Sequence, residues 1–565
     1  MIDGGYLNYN KDKTYFIADA NGNATTETGF VRPESYDVFT GNTLQYNNSI
    51  PITIKEIGNF QAYNFTLNPE LADGTTALIK ANKIILGSSD DNMSTDQVQK
   101  QIYNSISIAA QTSESLDNAI KEALPSIADD EVNPNYAISD DIKDAVLNAE
   151  DISQSVKNLL TTGKIASDIK VIGIQSGKLL DTNTKFILMQ ADQGQLSGLG
   201  QGYLSKGVAQ QGISLLYDVE TSVDQANDQV IALINMGHKS PTDPTPTDPV
   251  PEDPRDLEPT VNPQLKALLK GNLSGLMLLT RSEDQFSNYS FDQEHLRGLV
   301  PFVIASGNHS RYDTGSHIKS NGGLFTMGFS VHDDDWTWGA FIENGWDSYK
   351  THDSFKDAKT VNGRGHNRFN GVGLFGNYDF NNGWYVDGTL RGGRLHTSFE
   401  TDDLRNAVTN ERAEYDLSSN YYGVSLKGGY NFTWNPQNEL DLSAKYAWVG
   451  TESHRLTIAG DPIYFDKLNS HRLRLNAENS YQMNSDFNIL TGLGYEHEFA
   501  GKAKGTTYGV YDIEESSVKG GTGIATLGLR YQPAANQRLN IDLKGSGYFG
   551  KREGGSALLK VDYKF

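Results

Sequence analysis

The sequence contains no cysteine, no long apolar run and, over its first 237 residues, no histidine. Without cysteine the chain can form neither a disulfide nor a thiolate metal site, a composition that suits passage through an oxidising periplasm. No segment approaches the 18 consecutive apolar residues of a transmembrane helix, whereas the alternating strands of a transmembrane barrel stay allowed. A first part without histidine or cysteine cannot assemble a Ser-His-Asp or Cys-His site.

Basic residues are also scarce in the first part of the chain. The 565 residues carry a formal charge of -23, and residues 1–255 hold 34 Asp and Glu against 17 Lys and Arg. Because phosphate binding needs clustered Lys and Arg, we expect no nucleic-acid partner. The chain begins MIDGG, without the basic and apolar regions of a signal peptide, so none is predicted within these residues.

The last nine residues alternate strictly between apolar and polar side chains. Leu559, Val561, Tyr563 and Phe565 fall on one face of a strand, with Lys and Asp on the other. Such a strand suits lipid on one side and water on the other. A soluble protein rarely leaves a flat apolar terminal edge unprotected, so the pattern favours closure into a barrel over an ordinary edge strand.

Eleven further segments resemble this one. Short turns alternate with longer polar connections such as 350–366, 400–411 and 501–517, as expected of periplasmic turns and outer loops. The fold class predicted for this part is all-β, a 12-stranded antiparallel transmembrane barrel with both ends on the periplasmic side. The predicted strands lie near 299–308, 321–332, 336–349, 367–380, 383–399, 412–432, 438–456, 468–484, 486–500, 518–532, 536–549 and 555–565.

Several basic residues within these strands are predicted to line the pore, because each would cost a few kcal/mol facing lipid near the midplane. A charged, hydrated lumen could hold a polar helix end. Structural pairing with interior acids such as Asp441, Glu478 and Glu496 is the alternative explanation. The pore-lining candidates are Arg391, Lys427, Arg472, Arg474 and Arg530.

The chain before the barrel divides into three parts. Residues 1–239 contain short strands bounded by Gly, Asp and Asn, which resemble rungs of a stack, and a polar insertion at 94–165 with weak helical periodicity. Residues 240–259 form a proline-rich linker. Residues 260–298 are predicted as an α-helical linker in the pore, since small residues leave the helix slender, although a plain surface helix would share the pattern. The barrel domain then spans 299–565.

Together these parts resemble a classical monomeric autotransporter, the type V secretion family. The resemblance rests on the terminal strand, the helix PQLKALLKGNLSGLMLL and the segment PFVIASGNHSRYDTGSHIKSNGGLFTMGF, which is similar to the first hairpin of such barrels. KFILMQADQGQLSG and GISLLYDVETSVDQANDQVIALI are similar to the end of an autotransporter passenger. The resemblance implies that residues 1–239 are the remnant of a right-handed parallel β-helix-like passenger.

The resemblance also implies function and partners. The protein would lie in the outer membrane of a Gram-negative bacterium, in contact with its lipid, and would export its own passenger to the cell surface. The β-barrel assembly machinery would read Leu559, Val561, Tyr563 and Phe565 as a signal, with periplasmic chaperones assisting. We expect a monomer whose passenger binds a host surface or an extracellular ligand as an adhesin or scaffold.

No catalytic, cofactor-binding or metal site is predicted, and we expect no enzyme. Histidines in the predicted outer loops, among them His309, His317 and His352, match the spacing of no barrel protease or lipase. Two alternatives stay open. One is a porin-like diffusion channel with an unrelated extramembrane domain, and the other is a barrel hydrolase that uses these histidines.

Overall fold

In the computed structural model, the chain forms two compact units. One comprises Met1–Thr260 with Ala407–Asn410, and the other Val261–Asn406 with Glu411–Phe565. The structure describes residues 6–8, 16–18, 24–28, 38–40, 43–46, 51–58, 60, 62–86, 167–181, 183–198, 203–235, 259–287, 298–333, 335–356, 358–536 and 538–565. The predicted insertion at 94–165 and all of the proline-rich linker except its last residue lie outside these residues.

The first unit contains a large sheet with two parallel ladders and a separate antiparallel pair, β2 and β3. β6, β8 and β10 pair in parallel, as do β5, β7, β9 and β12, while β12, β13, β14 and β10 are joined by antiparallel pairs. The strands before the helix are β1 (Tyr6–Asn8), β2 (Phe16–Ala18), β3 (Ala24–Thr28), β4 (Val38–Thr40), β5 (Thr43–Tyr46), β6 (Ile52–Gly58), β7 (Ala62–Leu67), β8 (Ala77–Ile85), β9 (Asp168–Ile174), β10 (Thr184–Gln190), β11 (Leu196–Ser197), β12 (Leu204–Gln211), β13 (Leu215–Asp224), β14 (Gln229–Asn235) and β15 (Thr260–Val261); a 3-10 helix covers Pro69–Leu71. The stacked rungs of a β-helix require parallel ladders of this kind. That the unit is a right-handed β-helix stays a prediction.

The core of the first unit is apolar and is built by parallel register. Leu44 pairs with Tyr63, and Tyr46 with Phe65, so that each side chain stacks on its equivalent one strand further. The Tyr46 and Phe65 rings lie 5.6 Å apart. All four side chains are buried. The alternation of these strands therefore directs apolar groups inward, away from water.

The second unit contains a closed barrel of twelve antiparallel strands preceded by one helix, as predicted from the alternation. The helix α1 covers Lys266–Ser287, after a 3-10 turn at Pro263–Leu265. The barrel strands are β16 (Gly298–Asp313), β17 (His317–Asp333), β18 (Trp336–Asp353), β19 (Val361–Asp379), β20 (Trp384–Arg405), β21 (Arg412–Asn435), β22 (Asn438–Thr451), β25 (Asn469–Gln482), β26 (Phe487–Glu498), β29 (Gly520–Tyr531), β30 (Leu539–Gly550) and β31 (Arg552–Tyr563).

The barrel closes between its last and first strands. β31 pairs with β16 from Phe302 opposite Asp562 to Tyr312 opposite Arg552. The terminal Phe565 donates its backbone N–H to the carbonyl of Leu299 at 3.2 Å. Closure leaves neither strand with a free edge, which is the condition for strands that meet lipid.

Apolar residues of the barrel strands face outward. On β19, Val372 and Leu374 are about 60 % exposed, whereas Gly373, Phe375 and Asn377 between and after them are buried. The outward face is therefore apolar where the strand would meet lipid. Within the described residues, no helix combines the length and the apolar character needed to cross a membrane.

A second sheet was missed by the sequence analysis. The connection at 501–517 was predicted as a long polar outer loop, but it and the connection after β22 contain four strands that pair in the order β23, β24, β27, β28. β24 and β27 come from different connections. This sheet lies on the side of the long connections and contacts the start of α1. Its strands are β23 (His454–Ile458), β24 (Asp461–Phe465), β27 (Lys502–Thr507) and β28 (Tyr511–Ser517).

Candidate functional site

The helix α1 occupies the barrel lumen. Its start is stabilised by Asn262, whose side-chain oxygen accepts the backbone N–H of Gln264 at 3.1 Å, as at a helix N-cap. Both apolar and charged side chains of α1 are buried by the surrounding wall; these are Ala267, Leu268, Leu269, Lys270, Asn272, Leu273, Ser274, Leu276, Met277, Leu278, Leu279, Arg281, Ser282, Glu283, Asp284 and Gln285. A helix buried on every face is a core element, which excludes the plain surface helix.

Two glycines set how closely α1 approaches the wall. A Cβ on Gly271 would lie 2.5 Å from the Tyr415 hydroxyl and 2.6 Å from the Phe399 ring, and one on Gly275 would lie 2.5 Å from the Thr397 hydroxyl. The Tyr415 hydroxyl also donates to the carbonyl of Leu268 at 2.9 Å. Small residues on this side are therefore required by the width of the lumen.

Asp284, near the end of α1, is the centre of the densest ionic cluster. Its carboxylate lies 2.7 Å from Arg472, 2.6 Å from Arg474 and 2.8 Å from Arg552. Glu496 of the barrel wall pairs with the first two arginines at 3.1 and 2.7 Å. Arg472 in addition donates to the carbonyl of Thr280 at 2.9 Å. Two strands of the wall, β25 and β31, are thus tied directly to Asp284, and β26 joins the cluster through Glu496.

Glu283 is the centre of a second cluster. Arg391 lies between Glu283 and Glu343, with an N–O distance of 3.0 Å to each, and donates to the carbonyl of Leu279 at 2.7 Å. Lys445 also pairs with Glu283, and the Tyr421 hydroxyl donates to Glu343 at 2.7 Å. Because buried charges are costly unless paired and hydrogen-bonded, these partners explain how ionised groups exist inside the barrel.

Two further pairs hold the helix at positions before Glu283. Lys270 lies 2.5 Å from Asp353 and also donates to the carbonyl of His352 at 3.2 Å. Arg281 pairs with Asp347 and donates to Asn308 at 2.9 Å. The contacts run along α1 from Lys270 to Asp284. A cavity of about 40 Å³ lined by Met277, Arg472 and Glu496 has room for a few water molecules at most.

The pore-lining candidates fall into two groups. Arg391, Arg472 and Arg474 contact α1 directly, as described above. Lys427 lies 3.8 Å from Asp387, and Arg530 lies 2.8 Å from Asp542, so these two pair with the wall. Charged wall residues that contact α1 but were not among the candidates include Glu343, Asp347, Asp353, Lys445 and Arg552. Their alternation with outward apolar residues is a signal that could have identified them.

The terminal strand has the four residues of the predicted assembly signal on its outward face. Leu559 is 44 % exposed and Phe565 is 71 % exposed. The Tyr563 and Phe565 rings lie 5.1 Å apart, edge to face. This arrangement presents two adjacent aromatic rings at the end where the chain stops. Recognition of these residues by the β-barrel assembly machinery stays a prediction.

The histidines predicted for the outer loops lie instead on barrel strands, with His309 on β16, His317 on β17 and His352 on β18. His317 stacks on His352 at 5.2 Å, while His309 contacts Asn321 and His366 contacts Ser348 on the outer surface. In the described part of the chain, no three His, Cys, Asp or Glu side chains are arranged to hold a metal ion.

One Ser-His-Asp contact occurs on the barrel exterior. His396 lies 3.1 Å from the Ser418 hydroxyl and 3.5 Å from Asp416. Asp416 is 75 % exposed, and the flanking backbone belongs to the β20–β21 ladder. A flat surface whose N–H groups serve a ladder offers neither a substrate pocket nor an oxyanion hole.

Residues 302–544 match the family model of the autotransporter β-domain. No curated protein matches the chain.

Among solved structures, the translocator domain of the autotransporter NalP from Neisseria meningitidis is 14 % identical, covers 54 % of this chain and 100 % of its own, and has a TM-score of 0.39. The transport unit of the autotransporter AIDA-I from Escherichia coli is 13 % identical, covers 54 % and 99 %, and has a TM-score of 0.39. The β-domain of the Bordetella autotransporter Brka is 14 % identical, covers 47 % and 100 %, and has a TM-score of 0.34.

Autotransporter translocator barrels lie in the outer membrane and serve the export of a passenger. The family match lies within the closed barrel, downstream of the helix that fills its lumen. Residues 302–544 are therefore an autotransporter β-domain, which forms the C-terminal barrel of this chain.

Proposed function

We propose that the barrel exports residues 1–239 to the cell surface, and that this passenger acts as an adhesin or scaffold. The direction of α1 carries the proposal. Lys266, at its start, pairs with Glu514 on β28, in the four-stranded sheet on the side of the long connections, whereas Asp284, near its end, pairs with arginines deeper in the wall. The chain therefore enters the lumen from the side of the long connections, which face outward in such barrels.

Surface display is tested with an epitope inserted between Gly177 and Lys178, an exposed turn where nothing lies within 4 Å of an added Cβ on Gly177. Antibody should label this epitope on intact cells. A second epitope between Asn381 and Asn382, in a short turn of the barrel, is the control and should be labelled only after lysis. If the first epitope is inaccessible on intact cells that carry the barrel in the outer membrane, the export proposal is wrong.

The porin-like alternative is tested by conductance. A lumen crossed by a buried, ion-paired helix should pass little current, so the intact chain in a planar bilayer should show low conductance. Deleting residues 260–285 removes the helix and should raise conductance sharply. A large conductance of the intact protein, unchanged by the deletion, would favour the diffusion channel.

The passenger is proposed to have no enzymatic activity. The support is chemical: residues 1–237 contain neither histidine nor cysteine, so a nucleophile would lack its usual base. The barrel hydrolase is tested separately, with peptide and lipid substrates and with His309→Ala, His317→Ala and His352→Ala. We expect no turnover by the wild type. Hydrolysis that one of these substitutions abolishes would establish the hydrolase instead.

Assembly is proposed to use periplasmic chaperones and the β-barrel assembly machinery, with Leu559, Val561, Tyr563 and Phe565 as the signal. Deleting Phe565, or exchanging Tyr563 and Lys564, breaks the outward alternation of the last strand, and the protein should accumulate in the periplasm. Phe565→Tyr keeps an aromatic ring and should assemble normally. Normal outer-membrane levels of the deletion would argue against the signal. We expect the assembled chain to sediment as a monomer.

A further inference from the structure

Four cations on the outer surface of the barrel have no acidic partner in the described part of the chain: Lys319, Lys350, Arg368 and Arg394, here called the cationic band. All four are exposed. Each shares its face with outward apolar residues of the same strand, such as Met327 on β17 and Leu390 on β20. They belong to four consecutive strands, β17 to β20. The cationic band is therefore a positively charged patch on a chain whose formal net charge is -23.

The register places like charges directly opposite one another. Arg311 is opposite Lys319, Lys319 is opposite Lys350, and Lys350 is opposite Arg364, so that four cations form one row across β16 to β19. Arg311 and Arg364, at the two ends, pair with Glu553 and Glu400. The two lysines in the middle have no such acid. Like charges opposite one another destabilise a sheet, and an external anion would remove this cost.

The band lies where the apolar outer face ends. Moving along β19 toward the long connections, the outward residues change from Leu374 and Val372 to Asn370 and Arg368. On β20 they change from Leu390 through Gly392 to Arg394. Cations at this level are adjacent to the headgroups of the outer leaflet and clear of its hydrocarbon.

Two tryptophans on β18 locate the outer interface independently, at the level of Arg368, and Lys350 lies four residues further along the same strand. Trp336 and Trp346 are both more than half exposed and lie ten residues apart on one strand. At about 3.3 Å per residue and a tilt of about 40°, this spacing corresponds to about 25 Å of height, the thickness of the apolar band of such barrels. Tryptophan marks both membrane interfaces. Trp346, at the outer interface, is directly opposite Arg368.

The band occupies only one side of the barrel. On the neighbouring strand β21, the outward residues at the corresponding end are Asn420, Ser418, Asp416 and Glu414. If the cationic band served only general solubility, it would not need to lie on one side of the barrel. Arginine binds phosphate through two parallel hydrogen bonds, and lysine binds it as a point charge.

We infer that the cationic band binds the phosphate groups of a phosphorylated glycolipid of the outer leaflet, held against the outer wall of β17 to β20. The apolar residues below the band contact the acyl chains, and Trp346 packs at the level of the headgroup. This inference uses the outer-membrane assignment of the barrel and does not depend on export of residues 1–239.

Binding is tested on the full chain in a zwitterionic detergent. The chain is mixed with bis-phosphorylated lipid A, with the same lipid stripped of its phosphates, or with inorganic phosphate, and bound molecules are counted by native mass spectrometry. Wild type should bind the phosphorylated lipid at least tenfold more tightly than the stripped lipid. The variant K319Q/K350Q/R368Q/R394Q should lose this preference. K467Q/K519Q, which removes two exposed lysines from the long connections, should keep it.

Two results would overturn the inference. One is equal retention of phosphorylated lipid A by the wild type and the four-site variant, and the other is equal affinity of the wild type for stripped lipid. Binding of inorganic phosphate as tightly as the phosphorylated lipid would show a site for free anions and would also contradict docking of a lipid.

The urea stability of the chain gives a second test, because the inference defines the direction in which it should change. In phosphatidylcholine vesicles, which offer no excess anion, K319Q/K350Q removes like-charge repulsion and should unfold at the same or a higher urea concentration than the wild type. Adding lipid A to the vesicles should stabilise the wild type and leave the variant unchanged. A variant that is less stable in phosphatidylcholine alone would show that the lysines have partners within the protein, and the inference would fail.

Discussion

The two units use the same strand alternation in opposite senses. In the first unit, Ile54 and Phe65 point inward and are almost fully buried, and charged groups such as Lys55 lie at the surface. In the barrel, Leu374 and Leu493 point outward and are 60 % and 72 % exposed, whereas Asp284 and Arg472 lie inside. A period of two thus separates a polar from an apolar face but does not say which face is inside. The medium around the strands decides that.

The two interiors are stabilised by different interactions. Apolar burial stabilises the first unit because it removes carbon surface from water. Removal from water does not hold the barrel wall together, since its apolar groups face lipid. Its interior buries the apolar side chains of α1 and, unlike the first unit, also many charges, each of which is costly unless paired. Substitutions of the same kind should therefore have different effects in the two units.

The largest effect is expected for Phe65→Ala in the first unit. Phe65 is fully buried and stacks on Tyr46, so its removal should destabilise that unit by about 3–5 kcal/mol. Urea unfolding followed by limited proteolysis of residues 1–239 measures the loss, while gel mobility of the unheated barrel should not change. Phe65→Leu, which leaves a smaller cavity, should cost clearly less. Equal stability of the Ala variant and the wild type would contradict an apolar core.

Next in size is Asp284→Ala in the barrel. The substitution leaves Arg472, Arg474 and Arg552 buried without their shared anion. Because Glu496 still pairs with two of them, the loss should be near the lower end of the range for broken buried pairs, about 3 kcal/mol. Urea unfolding of the barrel in detergent is the measurement. Asp416→Ala, at an exposed pair with His396, should cost less than about 1 kcal/mol. Similar losses for both would mean that burial does not matter here.

A matched pair of isoleucines compares the two media directly. Ile172 on β9 and Ile342 on β18 are 41 % and 46 % exposed. Ile342→Arg places a charge on the outer face between Trp336 and Trp346 and should destabilise the barrel by about 2–4 kcal/mol, because that face meets lipid. Ile172→Arg meets water and should change stability by no more than about 0.5 kcal/mol. If Ile342→Arg were equally harmless in vesicles, this face of β18 would not contact lipid.

The smallest effect concerns a turn of the first unit and depends on pH. The Asp73 carboxylate accepts the backbone N–H groups of Thr75 and Thr76 at 2.7 Å each. Hydrogen bonds from the Thr76 hydroxyl and from both N–H groups lower the pKa of Asp73 to about 2. A lowered folded-state pKa means that this stabilisation is present above the unfolded value of about 3.9 and is lost as pH falls toward 2.

Asp73→Ala should therefore lower stability by less than about 1 kcal/mol at pH 7, since the group is exposed. The difference from the wild type should shrink between pH 4 and pH 2, which urea unfolding across that range would measure. Asp73→Asn keeps one acceptor oxygen and should lose less at neutral pH. A difference that grows on acidification would refute the assignment.

Much of the barrel could be predicted because its information is local. Each strand carries its own alternation, and each short turn its own Asn, Asp or Gly, so strand number and strand order follow from the chain alone. The pairing of β31 with β16 follows from the even count and from the need to leave no edge in lipid. The four-stranded outer sheet could not be predicted in this way, because β24 and β27 are short and come from different connections.

The sequence by itself determined the twelve strands, the helix before them and the polarity of the two strand faces, since all three depend on residue spacing within one segment. Only the tertiary structure decided which charges meet. Asp284 is one acid among many in the sequence, and its three arginines lie on β25 and β31, so their pairing depends on the depth and rotation of α1 in the lumen. The same holds for the row of Lys319 and Lys350, whose repulsion follows from register between strands and is invisible within either strand alone.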